Sequence, residues 1–195
     1  MPLIFRHGPA ATVFTVAVAA WLVFEFVMRI RQRRQASGPA STDPTYLVLV
    51  ACLIAAVVTA EVLGRGGRAP WPGGLTWPTV AGVGLIVAGI GLRAWSIVTL
   101  GRFFQYQIDI QPGHQVVTGG PYRYLRHPAY SAVALVLAGI ALACDDMWSL
   151  VAVAALGGIG LAVRIHAEEQ QLIRALGAEY EHFAARRKRL VPGVW

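Results

Sequence analysis

The chain is poor in the residues that build metal centres and disulfide frameworks. It has two cysteines, Cys52 and Cys144, in 195 residues. Both fall in or at the end of apolar runs, with no CxxC or Cys/His spacing around them. They read as small packing residues, with neither a zinc site nor a disulfide framework. Charge is also scarce. Only 14% of the residues are Asp, Glu, Lys or Arg, against about 25% in soluble domains. The net charge of +7 collects at segment ends, with no basic stripe interleaved with aromatics. That excludes nucleic acid as a partner and fits anionic lipid headgroups. Internal repeats and low-complexity tracts are lacking.

What is present is apolar sequence in long blocks, 56% of the chain, which points to a multi-pass membrane protein. Residues 10–28 form the first run. A signal peptide would want positive charge before the run. Here Arg6 stands alone before it, and Arg29, Arg31, Arg33 and Arg34 follow. A retained transmembrane helix is predicted, with Glu25 snorkelling or pairing with Arg29 one turn on. Residues 46–63 and 78–100 are the next spans, the latter opened by Pro78. Gly82, Gly89 and Gly91 offer small surfaces for close helix contact. Arg93 lies inside this span, as a functional group, a snorkelling side chain or a partner for Glu25. Trp71 and Trp77 read as interface anchors. Residues 130–165 read as a helical hairpin turning at Asp145 and Asp146. Its first arm, 130–143, is about 21 Å long, short of a ~30 Å hydrocarbon core. Residues 166–189 continue the last helix as a polar pattern broken at Gly177, ending in the basic patch Arg186, Arg187, Lys188 and Arg189, which suits anionic lipid.

The expected fold is an all-α membrane protein with about five transmembrane helices, a cytoplasmic cofactor-binding loop and a C-terminal helical extension. It is one domain over 1–195, with N-terminal helices in 1–100 and the catalytic half in 101–195. The positive-inside rule puts the N-terminus outside and the C-terminus in the cytoplasm, because Arg102, Arg123, Arg126 and the tail then share a side. The Ala, Gly and Arg bias suggests a bacterial inner membrane.

Two polar regions fall on that cytoplasmic side. Residues 105–130 (QYQIDIQPGHQVVTGGPYRYLRHPAY) carry His, Arg and Tyr among Gly and Pro breakers. Residues 164–169 (RIHAEE) lie at the exit of the last membrane helix. A hairpin that returns to one face brings the two together. Extended backbone at 103–110 and 114–118 exposes N–H and C=O groups that need partners near a membrane, and a bound ligand supplies them. Tyr122 and Tyr124 offer flat faces to a ring or a cation. Each feature also has a plain reading. The loop can be a self-paired hairpin, Pro128 a helix-opening residue beside His127, and Arg164 and Glu168 an i, i+4 pair.

Taken together, GHQVVTGGPYRYLRHPAY followed by RIHAEEQQLIRALGAEY resembles the isoprenylcysteine carboxyl methyltransferase family. The resemblance covers roughly residues 102–180. Val116 stands where the family commonly has Leu, and Ser131-Ala132 follows Tyr130 where a Gly is usual. The resemblance implies a membrane methyltransferase that uses S-adenosylmethionine and releases S-adenosylhomocysteine. It implies cofactor contacts from Gln107, His114, Gln115, Val116, Val117, Tyr122, His127, Pro128, Ala129, Tyr130 and Glu168. Arg164 would hold the substrate, and Arg164, Glu168 and Glu169 would be catalytic, with no metal. The acceptor would be lipidic or amphipathic, drawn from or carried by membrane lipid. A carboxylate acceptor needs no base, and Arg164 matches its geometry. The alternatives are N-methylation of a lipid amine or S-methylation of a small thiol. A non-enzymatic transporter or assembly factor is the rival class.

Overall fold

The structure is a computed structural model, and it describes residues 2–35, 43–73, 76–104 and 116–191. Six α-helices account for most of it: α1 (Pro9–Gln35), α2 (Pro44–Gly66), α3 (Thr76–Leu100), α4 (Pro128–Ala143), α5 (Met147–Leu176) and α6 (Ala178–Ala185). Among the described residues the sole β-type pairing is one isolated bridge, Leu125 to Lys188. Helices α1, α2, α3 and α5 are each long and apolar enough to cross a membrane, and α4 is a shorter apolar helix. At 1.5 Å per residue α5 is about 45 Å long and α4 about 24 Å. The outer faces stay apolar: Val16, Val23 and Phe26 of α1, Val62 of α2, and Val80 and Val98 of α3 are each at least 60% exposed. Lipid is the solvent that such faces require. The architecture is an all-α, multi-pass membrane fold.

Helix α4 is the central element. Ala132, Val136, Leu137, Ile140 and Ala143 are buried along it. Its closest neighbour is α3, and small residues set the distance. A Cβ on Gly139 would lie 2.5 Å from the Gly82 carbonyl oxygen, and one on Gly89 would lie 2.6 Å from Val136 Cγ2. Gly91, expected on the same interface, instead faces open space, with nothing within 4 Å of a Cβ. Gly139→Ala is therefore expected to cost about 1–3 kcal/mol by overpacking, while Gly91→Ala is expected to be neutral or slightly stabilising. Thermal unfolding of both variants in detergent checks this, and equal midpoints would remove the close-packing account.

The far end of the hairpin is more buried than the sequence suggested. Asp145 takes a left-handed φ of 50°. Asp146 caps α5, accepting from the Trp148 and Ser149 amides. Both carboxylates also reach the α2–α3 connection: Asp146 accepts from the Ala69 amide at 3.0 Å, and Asp145 accepts from the Trp71 amide at 3.3 Å. The acidic turn is thus a clamp between two helical hairpins. The third helix opens at Thr76 rather than Pro78, which sits in its first turn. His127 and Pro128 open α4 as expected, and Gly177 breaks α5 from α6 with a positive φ of 53°. Trp71 and Trp77 meet edge to face at 5.9 Å.

Glu25 pairs with Arg93 of α3, not with Arg29. Arg93 donates from Nε to Glu25 Oε1 at 2.8 Å and from Nη2 to Oε2 at 3.1 Å. Its Nη1 reaches the Ala129 carbonyl at 3.1 Å. Arg29 lies over the Tyr46 ring instead. The C-terminal basic run is also placed differently. Arg189 binds Glu169, and Arg187 donates to the carbonyls of Arg123 and Phe183. Only part of the patch, Arg186 and Lys188, remains exposed for a lipid surface.

Candidate active site

The longer arm of the hairpin decides where a site can form. Helix α5 runs past the start of α4, so Arg164, Glu168 and Glu169 stand level with the residues that open α4. The C-terminal strand-like segment then closes the same corner. The Arg126 amide donates to the Lys188 carbonyl at 2.8 Å, and the His127 amide donates to the Arg189 carbonyl at 3.0 Å. The Ser131 hydroxyl donates to the Leu190 carbonyl at 2.6 Å.

Within this corner the two neighbouring glutamates have different surroundings. Glu169 is buried and holds three elements together. Its Oε1 accepts from Arg126 Nη1 at 3.0 Å and lies 3.3 Å from His127 Nε2. Its Oε2 accepts from Arg189 Nε at 3.0 Å. Glu168, one residue earlier, points to the cavity and accepts from the Tyr130 hydroxyl at 2.6 Å. Arg164 Nε donates to that same hydroxyl at 3.2 Å. Arg164 and Glu168 therefore communicate through Tyr130 rather than reading simply as an i, i+4 pair. Arg164 also donates from Nη1 to Asp43 Oδ2 and to Thr45 Oγ1, at the first turn of α2.

These side chains line a cavity of about 270 Å³. One wall comes from α1 and α3, through Trp21, Glu25 and Arg93. Another comes from α2, through Tyr46, Leu49 and Leu53. Leu172, Leu176, Tyr180 and Phe183 give it an apolar roof from α5 and α6. Burial first, and the charge of Glu168 second, push the Tyr122 hydroxyl well above the usual phenol range. Burial and then Glu169 and Glu168 do the same to Tyr180. Both phenols stay protonated and act only as neutral hydroxyls.

Of the residues singled out from sequence, Val116, Val117, Tyr122, His127, Ala129, Tyr130, Arg164 and Glu168 line this cavity. Pro128 and Glu169 stand behind it. Gln107, His114 and Gln115 lie outside the described residues, as does most of the polar loop. Val116 is held by its amide, which donates to Glu179 of α6 at 3.3 Å. Among the described residues no cluster of His, Cys, Asp or Glu is arranged to hold a metal ion.

Residues 82–174 match the model of the isoprenylcysteine carboxyl methyltransferase family. Over that stretch, just under half of its length, the chain is similar to that family. It is 33% identical over 120 residues to protein-S-isoprenylcysteine O-methyltransferase B of Arabidopsis thaliana, covering 60% of this chain and 61% of that protein. It is 31% identical over 129 residues to the A form of the same plant, covering 65% and 63%. It is also 31% identical over 96 residues to the uncharacterized protein YpbQ of Bacillus subtilis, covering 49% and 56%. The chain thus spans about three fifths of the length of the curated relatives it matches. A solved structure of the eukaryotic intramembrane Ras methyltransferase superposes with a TM-score of 0.66 at 19% identity, over 98% of this chain and 70% of that one. That likeness concerns the fold.

The matched stretch includes α4, nearly all of α5 and most of α3, so it carries Arg93, His127, Tyr130, Arg164 and Glu168. It does not include Glu25 or Tyr180, which complete the cavity from α1 and α6, nor Asp43, which holds Arg164 from the α2 cap. The motifs could not reveal Glu25 or Asp43, and Tyr180 ends the resembling stretch without a role attached to it. Tyr180 is the one with a visible purpose: its hydroxyl is buried, borders the cavity and meets no hydrogen-bond partner among the described residues. An orphaned buried hydroxyl costs about 1–3 kcal/mol, so a polar ligand atom beside it would recover that loss.

Proposed function

We propose that this chain methylates a carboxylate on a lipidic or amphipathic acceptor at the membrane–cytoplasm interface, with S-adenosylmethionine as donor. The observation that carries the reading is the hydrogen-bonded line Arg164–Tyr130–Glu168 along one cavity wall. It sets a cation for the acceptor and an anion for the donor at two ends of one hydroxyl.

The chemistry of the wall fits the donor. Glu168 offers a carboxylate to a sulfonium or ammonium, the Tyr180 hydroxyl offers a donor to its carboxylate, and Tyr122 offers a ring face. Bound there, S-adenosylmethionine would supply an activated methyl group, its sulfur keeping the electron pair of the carbon–sulfur bond as the acceptor oxygen takes the methyl, with no proton to be moved. The residues of the chain have the remaining tasks. Arg164 orients the acceptor carboxylate, Tyr130 fixes Arg164 and Glu168 relative to one another, and the apolar roof keeps water out. His127 and Glu169 hold the corner that positions both. The N-terminus lies outside and the cavity opens to the cytoplasm, in a bacterial inner membrane. The acceptor's apolar tail would lie against Trp21, Leu49 and Leu53.

The test is binding of S-adenosylhomocysteine to the purified protein in detergent, followed by methyl transfer across carboxylate, amine and thiol acceptors in lipid and non-lipid forms. Saturable binding with turnover on a lipidic carboxylate is expected. No detectable cofactor binding would sink the enzyme reading, and turnover confined to amines or thiols would sink the carboxylate assignment.

A further inference from the structure

The arginine that should hold the acceptor is already holding a carboxylate. Asp43, the N-cap of α2, divides its two oxygens between two tasks. Oδ1 accepts from the Thr45 amide at 2.9 Å and from the Thr45 hydroxyl at 2.7 Å. Oδ2 accepts from Arg164 Nη1, which also donates to Thr45 Oγ1 at 2.9 Å. Arg164 is buried and borders the cavity, whereas the Asp43 side chain is 15% exposed at the helix start. A cap needs only one oxygen, and Asn serves it as well as Asp. The second oxygen is therefore surplus to the needs of α2. An ion pair this buried is also weak evidence for stability, since desolvation offsets the attraction.

We propose that Asp43 is an internal stand-in for the acceptor carboxylate, and that the acceptor must displace it from Arg164 to bind. Asp43 thereby sets selectivity, because only a carboxylate of matching geometry repays the loss of the existing pair. Protonation does not open the seat at neutral pH. Burial pushes the Asp43 carboxyl up, but the Thr45 hydroxyl, Arg164 and the Thr45 amide together hold it below the usual carboxylate value. Displacement is left as the route, and the exposed edge of Asp43 gives it somewhere to go.

The inference rests on Arg164 as the acceptor's anchor, so its test reads binding and not turnover. The probe is N-acetyl-S-farnesylcysteine, compared with its methyl ester, titrated into the full chain in detergent. In Asp43→Asn the amide oxygen keeps the cap, and its NH₂ faces the guanidinium donor to donor, which removes the competing carboxylate from Arg164. The acid is expected to bind about tenfold more tightly to Asp43→Asn than to the unaltered chain, by analogy with removing a competing charge-assisted bond. The ester is expected to change less than about twofold, because it carries no charge to compete for the guanidinium. Asp43→Ser, which keeps a capping oxygen, should reproduce the split if Asn perturbs folding. Equal affinities for the acid in all three proteins, binding by none of them, or an equal gain for acid and ester would each overturn the proposal. A tighter acid in a chain that methylates nothing would keep it and sink the methyl-transfer reading.

Discussion

Glu169→Ala is expected to destabilise the protein by about 3 kcal/mol, a shift of roughly 6–12 °C in the unfolding midpoint of a chain this size. The carboxylate is buried and receives Arg126, Arg189 and the His127 imidazole. Removing one partner of a buried pair costs about 3–5 kcal/mol because the remaining charge is stranded. Here the low end applies, since the Arg189 side chain is 36% exposed and the Arg126 side chain 20%, so water solvates part of what is left. The consequence reaches the cavity. Glu169 ties the start of α4 to the C-terminal segment that pairs with Arg126 and His127, so its loss loosens the wall carrying His127 and Tyr130. Glu169→Gln, which keeps two acceptors' worth of shape but one acceptor oxygen and no charge, should fall between the two. Thermal unfolding in detergent reads this, with loss of S-adenosylhomocysteine binding in parallel. An unchanged midpoint would show that Glu169 is not the tie, and an unchanged midpoint with lost turnover would return it to a catalytic role.

The contrast between Glu168 and Glu169 shows where sequence reasoning ends. The pair is adjacent in sequence, and their helical positions differ by about 100°, so only one can face the cavity. Nothing local decides which. The apolar blocks predicted the helices because length and hydropathy are properties of a segment. The hairpin, the Pro128 opening and the Gly177 break were legible for the same reason. Pairings between distant segments were not. Asp43 meets Arg164 across 121 positions, and Glu25 meets Arg93 across 68. The sequence offered Arg93–Glu25 as one of several options and gave no sign of Asp43 at all. The basic tail misled because four successive basic residues look alike in a sequence, while in the fold Arg189 turns inward to a buried carboxylate. Tyr180 is the last residue of the resembling stretch RIHAEEQQLIRALGAEY, and its ring lies 5.8 Å from that of Phe183. Only the burial of its hydroxyl without a partner among the described residues marks it as more.

Glu168→Ala and Tyr130→Phe are each expected to weaken S-adenosylhomocysteine binding, and the double variant is expected to lose less than the sum of the two. Glu168 accepts from the Tyr130 hydroxyl at 2.6 Å, and that hydroxyl also receives Arg164 at 3.2 Å. Removing the carboxylate deletes a charged bond worth about 1.5–3 kcal/mol, so the dissociation constant rises roughly ten- to a hundredfold. Removing the hydroxyl keeps the charge but frees its direction, so a smaller rise of about tenfold follows. Once Glu168 is gone, the hydroxyl has no carboxylate to orient, and its loss adds little to the binding defect. Contacting residues of one network couple by about 0.5–3 kcal/mol in such cycles. Turnover separates the partners further. Tyr130→Phe also releases Arg164 Nε from its acceptor, so the Michaelis constant for the acceptor should rise in Tyr130→Phe and stay close to normal in Glu168→Ala at saturating donor. Calorimetric titration of the four proteins, with initial rates for the single variants, reads both. Strict additivity in binding would mean that the hydroxyl does not transmit between donor and acceptor, and the line Arg164–Tyr130–Glu168 would then be three separate contacts.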